Sequence, residues 1–476
     1  VITNRQSDFS GGENRKLLPE FIKANQLTLA QNCVMTAEGL IETRQGKVKV
    51  NTDSLGAGNV LSAVRWAKEN GTKYLVVQHG TSLFGVTWDG STPFASFGTA
   101  IKTGLTAGAK LRYVVWKDNL ICYNSADVAF RWDGTTVTNL AGSPPKFIHL
   151  VLYGGRLWGI DVATGYIRFS GLETYDTWDA LDLLTARSGD GDKLTALIPV
   201  SGGLLACKTK NIFPIYGTNR FDVSMGEAIT GIGCMSADAA LTGIVMGADN
   251  WYLAGLSAVT PFPETHTPLL TNLTFAQKQA VFSAYQSRDR RALYHLPTGE
   301  TVVIDGKRNA ITTWKGLAAT CFAMDDSVGD DGRLLMGGTD GHVYMLSGTD
   351  DSGTSIETYI KLPYSDHGTG LDKEWRVFWP KVDILDSGDY EIFLRYDVDY
   401  ASVKGQDTFT GSLPDYLEWG EEDWGSAAWG TGTNSIETPY WMHGVRGEYV
   451  SFEIRTNQRI RFRGYESRYN VAGRKS

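Results

Sequence analysis

The chain has 476 residues, a formal net charge of −8, 54 glycines, only 14 prolines and 11% aromatic residues. The length allows a large buried core and more than one domain, and the acidic balance excludes a general nucleic-acid-coating surface. Glycine-rich turns with plentiful Trp, Tyr and Phe point to an all-β protein of many short strands.

The first 16 residues are polar and predict an extended arm; residues 17–32 predict a short helix. A strand-like stretch runs Gly39-Leu40-Ile41-Glu42-Thr43-Arg44, then Lys47-Val48-Lys49-Val50 alternates Val with Lys. No apolar run resembles a secretion signal or is long enough to cross a bilayer, so a soluble protein made in the cytoplasm is expected.

The organising feature is a repeat. Phe84-Gly85-Val86-Thr87-Trp88-Asp89-Gly90 returns as Val128-Ala129-Phe130-Arg131-Trp132-Asp133-Gly134, 44 residues later. Apolar residues two apart ending on Trp-Asp-Gly read as a half-buried strand entering a turn that needs a positive φ at Gly90 and Gly134. A period in the forties is what one four-stranded propeller blade consumes.

Hairpins extend the series: 63–66 with 74–77, 113–116 with 120–123, 150–153 with 157–158, 197–200 with 204–207, 243–246 with 251–253, 282–285 with 293–296, and 321–324 with 334–336. They predict a propeller over 59–350 with seven blades, six being the alternative. The last unit lacks a fourth strand, and 39–50 is the candidate to close it, because an open ring leaves unpaired edges. Residues 271–281 look briefly helical.

Beyond Gly353 the period disappears. Strand-like runs at 355–362, 374–385, 390–396, 449–455 and 460–469 predict a C-terminal β-sandwich over 351–476, leaving 1–58 as arm, short helix and closing strand. Within the sandwich, 401–447 holds a loop in which Trp419, Trp424 and Trp429 recur five apart, each followed by Gly. That spacing fits neither helix nor strand, and the three rings are read as anchors onto the sandwich or a neighbouring subunit in preference to a sugar platform.

Little in the chain points to catalysis. Five separated cysteines (33, 122, 207, 234, 321) read as buried free thiols. The seven histidines form no zinc-protease pattern, and neither a nucleophile elbow nor a phosphate loop occurs. The acidic clusters 189–192 and 325–332 invite calcium, but Asp and Gly together are explained by turns. The glycosidase propeller box Ser-x-Asp-x-Gly-x-Thr-Trp fails at Ala129, which stands where Gly would follow Asp127. No enzyme activity, metal or cofactor is expected.

The ends of the chain carry a resemblance. Asp8-Phe9-Ser10-Gly11-Gly12, then Ala30-Gln31-Asn32-Cys33-Val34, then 39–46 ending Arg44-Gln45-Gly46, is similar to the start of tail hub or nozzle proteins of short-tailed bacteriophages, also called tail tubular protein B or packaged-DNA stabilisation proteins. The stretch from Leu293-Tyr294-His295-Leu296-Pro297 through 302–305 to Thr313-Trp314 resembles one of their blades, and Ile460-Arg461-Phe462-Arg463-Gly464-Tyr465 their closing strand.

The resemblance implies a homohexameric virion ring below the portal and adaptor. Such a ring carries the DNA channel, retains packaged DNA and anchors fibres, spikes or a plug. It implies passing duplex DNA without specific binding, no catalytic residues and no membrane insertion. The Trp-Gly loop has no counterpart in that pattern. The alternative reading is an adhesive or carbohydrate-binding propeller, with a glycosidase third.

Overall fold

The computed structural model describes all residues except 91–92, 188, 326–331, 369, 387, 401–404, 414–433, 437–438 and 474–476. The protein is mostly β, with several four-stranded antiparallel sheets of the kind that form propeller blades. It divides into two compact units that do not follow the boundaries drawn from sequence at 58/59 and 350/351. One comprises 48–299 and 318–346; the other gathers 1–47, 300–317 and 347–476.

The first of these units holds the repeats. Val60–Ala67, Lys73–His79 and Ser82–Thr87 form one sheet, and Arg112–Trp116, Asn119–Tyr123, Phe130–Trp132 and Val137–Asn139 the next. Further sheets begin with Phe147–Tyr153, Leu194–Val200, Ala240–Leu241, Phe282–Gln286 and Cys321–Asp325. Each of these seven first strands neighbours the next in chain order, and Cys321–Asp325 neighbours Val60–Ala67, so the series returns to its start.

The cause is the alternation seen in the sequence. Leu75 and Val77 of Lys73–His79 are buried with Ala323 and Leu335 of the last sheet, while Val76 is buried with Leu120 and Phe130 of the second. A strand that is apolar on both faces needs a sheet on each side. The outer edge of the last sheet is covered by residues that follow Lys49. Val50 N–H donates to Val343 O at 2.8 Å, and Val343 N–H donates to Asn51 Oδ1 at 2.7 Å.

Two expectations need correction here. The fifth hairpin, Ile244–Met246 with Trp251–Ala254, is the second and third strand of its sheet, because the two-residue Ala240–Leu241 precedes it. Only the end of 39–50 edges the last sheet, since Ile41–Thr43 pairs with Cys33–Met35 and Ile460–Gly473 in the other unit. The strands Thr301–Asp305 and Ala310–Trp314 pair with each other and cluster with that other unit. The 271–281 stretch is helical in two short pieces, Thr267–Thr271 and Phe275–Gln279, the second opened by a Thr274–Gln277 capping box.

The other unit is two sheets around one core. The first runs Cys33–Met35, Ile41–Thr43, Ile460–Gly473, Asp372–Ile384, Asn434–Ile436, with Ile2–Gln6 on Ile460–Gly473 and Tyr440–Gly447 on Asp372–Ile384. The second runs from Thr301–Asp305 and Ala310–Trp314 through Leu29–Gln31, Thr358–Lys361, Val450–Thr456 and Gly388–Val398 to Gly405–Leu413. Trp375, Phe378 and Phe462 of one share the core with Ile360, Leu394 and Phe452 of the other, and the Phe378 and Phe452 rings stack at 3.6 Å.

Residues 17–32 do not form the expected α-helix. Pro19–Phe21 is a single 3₁₀ turn and Leu29–Gln31 is a strand. Pairing overrides local propensity: Leu27 N–H donates to Gly12 O and Asn14 N–H to Leu27 O, and Leu29 faces Lys361 in the ladder.

Candidate functional site

The two Trp-Asp-Gly turns occupy equivalent places, each at the end of the third strand of its sheet. Both glycines have positive φ, 90° at Gly90 and 98° at Gly134. Trp132 reaches the preceding sheet, with its ring 5.4 Å from Trp66 and 5.0 Å from Tyr74. Trp88 is buried with Cys321, Ala323 and Leu335 of the last sheet. In each case a cation of the preceding sheet or its hairpin turn donates to the turn backbone: Lys68 Nζ to Asp133 O at 2.6 Å, and Arg333 Nη1 to Gly90 O at 2.7 Å.

Asp133 Oδ1 accepts the N–H groups of Thr135 and Thr136, which hold its carboxyl below the usual range. Arg65 donates to Trp88 O and to Asp325 Oδ1, the latter at 3.0 Å, with its guanidinium 4.7 Å from the Trp88 ring. Trp88, Gly90, Trp132 and Asp133 therefore fasten sheet to sheet. A Cβ on Gly134 would stand 3.0 Å from Tyr74 Oη. Gly134→Val is expected to cost about 1–2 kcal/mol in urea unfolding, and an unchanged midpoint would refute the strain argument.

The three Trp of the loop, Trp419, Trp424 and Trp429, lie outside the described residues, as does most of the 325–332 acidic cluster. In the other acidic cluster Asp190 takes Lys208 Nζ at 2.7 Å, and Asp192 takes the Thr209 N–H and hydroxyl. Their carboxylates thus serve lysine and backbone. Among the described residues no three His, Cys, Asp or Glu side chains are grouped to hold a metal. All five cysteines are free and buried; burial pushes the Cys234 thiol up to about 12.

The repeat unit also has a central cavity of about 210 Å³ that sequence reading missed. First strands and their lead-in residues line it: Ser62, Lys110, Arg112, Tyr113, Ser283 and Phe322, with Asp238 from the short helix Ala237–Ala239. Arg112 grips Asp238 with two bonds of 2.8 and 3.0 Å, and Lys110 Nζ adds a third contact at 3.3 Å.

Both cations, Lys110 and Arg112, hold the Asp238 carboxyl far below its usual range against the opposing effect of burial. The Tyr113 hydroxyl shares a 2.8 Å bond with Ser62 Oγ, and its pKa is pushed up by burial. Asp238 so held is a poor proton acceptor, and what the arrangement does is tie the second sheet to the fifth across the middle. The partners are 126 residues apart, so no local signal could have paired them.

In the other unit several of the residues quoted for the resemblance lie close together, while 293–297 belong to the repeat unit. Phe9 is fully buried with its ring 5.3 Å from Phe462. Gly12 has φ of 67°, and a Cβ there would stand 2.8 Å from Ile311 O. Asn32 Oδ1 accepts from Arg44 Nε at 3.0 Å and from Lys315 N at 2.8 Å, while its amide donates to Glu357 O. Trp314 Nε1 donates to Cys33 O at 2.9 Å.

Arg44, fully buried, also donates to Gln45 O, Lys315 O and both oxygens of Asp351, at 2.9 and 2.7 Å. Three separate segments, at Asn32, Lys315 and Asp351, are thereby fixed to one guanidinium. Arg44→Met removes this donor from Asp351 and from the Gln45 and Lys315 carbonyls, and should cost about 3–5 kcal/mol by denaturant unfolding. A loss below about 1 kcal/mol would refute the central place given to Arg44.

No protein-family model matches this chain, and no curated protein matches it. Among solved structures, a chain from the "Crystal Structure of Mitotic Checkpoint Complex" is similar, with a TM-score of 0.42 and 10% sequence identity over 64% of this chain and 92% of that one. A likeness this loose has no bearing on function.

Proposed function

We infer that the chain is a structural virion protein, the tail hub or nozzle subunit of a short-tailed bacteriophage. Its repeat unit is a seven-bladed propeller, and its other unit a β-sandwich. Six copies stand as a ring below the portal and adaptor, enclose the DNA channel, retain packaged DNA and anchor fibres, spikes or a plug. The chain is made in the host cytoplasm and ends in the virion tail, with no catalytic role and no cofactor.

The observation that carries this reading is the convergence in one unit of the terminal motifs that resemble the family, 293–297 alone lying in the repeat unit. Phe9 and Gly12 of the arm, Asn32, Arg44, Trp314 and Phe462 are scattered over most of the chain, yet they belong to one buried network.

The net charge of −8 fits a conduit, because phosphate contacts by lysine and arginine would grip a passing duplex and make release salt-dependent. The test is genetic: particles assembled without the protein should package DNA and then leak it. Particles that keep their genome as well as complete ones do would overturn the reading and favour an adhesive propeller.

A further inference from the structure

In the unit that gathers 1–47, 300–317 and 347–476, the second sheet ends on Gly405–Leu413. This strand of nine residues pairs with Gly388–Val398 on one side and, among the described residues, with no strand on the other. Thr408 N–H donates to the Asp407 carboxylate at 2.8 Å, which turns it to the open side. In an antiparallel pair the N–H and C=O of every second residue then point the same way, so Gln406, Thr410 and Ser412 present theirs outward too. The strand lacks the usual guards of an edge: it has no proline and no lysine, and Asp407 is its one charge.

A cleft of about 810 Å³ adjoins this edge. Asp389, Glu391 and Phe393 line it and alternate with the core residues Ile392 and Leu394, which places them on the outer face of the sheet. Thr410 of the edge strand faces Glu391 in the ladder, and Glu357, just before Thr358–Lys361, adds a third carboxylate. All three acids are exposed, and none has a hydrogen-bond or ion-pair partner for its carboxylate among the described residues. The guanidinium of Arg455, which also lines the cleft, is already held. Its Nη2 lies 2.7 Å from Glu453 Oε1, and it sits 4.2 Å from the Tyr359 ring.

We propose that an extended basic segment of a partner protein adds to Gly405–Leu413 as the next strand and sends an arginine or lysine into the cleft. The open edge and the uncompensated carboxylates are separate observations, and both call for the same partner. Strand addition draws affinity from the main chain and specificity from alternate side chains. Glu391 stands about 10 Å, two strand spacings, from an added strand, which an extended arginine spans. A charge-assisted bond to a free carboxylate then selects a basic strand over an acidic one. The contact goes beyond the hub reading and does not depend on it.

The test uses the full chain and two labelled peptides of about nine residues, one alternating threonine with arginine and the other threonine with glutamate. In fluorescence anisotropy the arginine peptide should bind at least about tenfold more tightly than the glutamate one. Glu357→Gln with Asp389→Asn and Glu391→Gln should weaken it by about tenfold or more. The same loss of charge at the exposed Asp53, Glu69 and Glu227 of the repeat unit should leave it unchanged. Thr410→Pro removes an outward N–H that the ladder does not use, so it should abolish binding without lowering the unfolding midpoint. An arginine peptide N-methylated at alternate residues makes the same test without touching the fold.

A chain that binds neither peptide, binds both alike, or binds as well after the three cleft substitutions overturns the proposal. Weakening by the distant substitutions would show general charge attraction and overturn it as well. Binding that survives both Thr410→Pro and N-methylation overturns the added strand. The genome-retention test of the hub reading is independent of all these outcomes.

Discussion

A fragment spanning residues 351–476, the C-terminal domain suggested by the sequence, is expected to be unfolded when expressed alone. Its core is completed by residues far outside it. Phe9, Leu27, Met35 and Ile41 are 0–3% exposed in the same cluster as Trp375, Phe378 and Phe452, and Ala310 joins them from the 300–317 segment. Burial of four such side chains is worth about 6–12 kcal/mol, close to the whole net stability of an ordinary domain.

Removing residues 1–47 also leaves Ile460–Gly473 without the partners Ile2–Gln6 and Ile41–Thr43, and Thr358–Lys361 without Leu29–Gln31. The measurement is circular dichroism with denaturant titration of 351–476. A cooperative transition from that fragment would show that the N-terminal residues are an accessory to the unit. Deleting residues 1–50 from the whole chain should likewise destabilise it sharply, by emptying this core as well as by baring the edge that Val50 covers.

What could be read from the sequence was whatever local chemistry dictates. The hairpins were legible because alternation and turn residues are properties of adjacent positions, and the Trp-Asp-Gly turns because a glycine following such a pair signals positive φ, as Gly90 and Gly134 have. The phase of the fifth sheet was not. Ala240–Leu241 is a two-residue strand with no period to detect.

Long-range pairing was equally hidden. Nothing near Ile41 indicates that its ladder partner is Phe462, and the helical look of 17–32 gave way to backbone partners supplied from a distance. The Lys110–Asp238–Arg112 tie is invisible for the same reason, being made by three charged residues that read locally as solvated surface. Exposure is the remaining blind spot. Phe221 and Phe213 are eight residues apart and look alike in sequence, yet one is 88% exposed and the other 2%.

Acidification from pH 7 to pH 5 is expected to lower the unfolding free energy of the repeat unit by about 3–4 kcal/mol through two histidines alone. His149 accepts a bond from Leu197 N–H at 2.9 Å through Nδ1, so its ring is held neutral. Burial, with the Arg112 guanidinium adding to it, pushes its pKa down to about 4. His295 is buried against the Phe282 ring at 4.9 Å, and burial takes it to about 4 as well.

In the unfolded chain both titrate near 6.5. The unfolded state therefore binds up to two more protons between about pH 6.5 and pH 4, and stability falls as the pH is lowered through that window. The stabilising contribution is fully present above about pH 6.5 and exhausted below the folded value. Carboxylates held below their usual range, such as Asp238, lose their contribution only at lower pH, so the interval from 7 to 5 isolates the imidazoles. Urea titrations at pH 7, 6 and 5 measure the slope directly. His149→Asn with His295→Leu should flatten it even if the variant is less stable throughout, and a wild type equally stable at pH 7 and pH 5 would mean that these rings are open to water or already protonated in the folded chain.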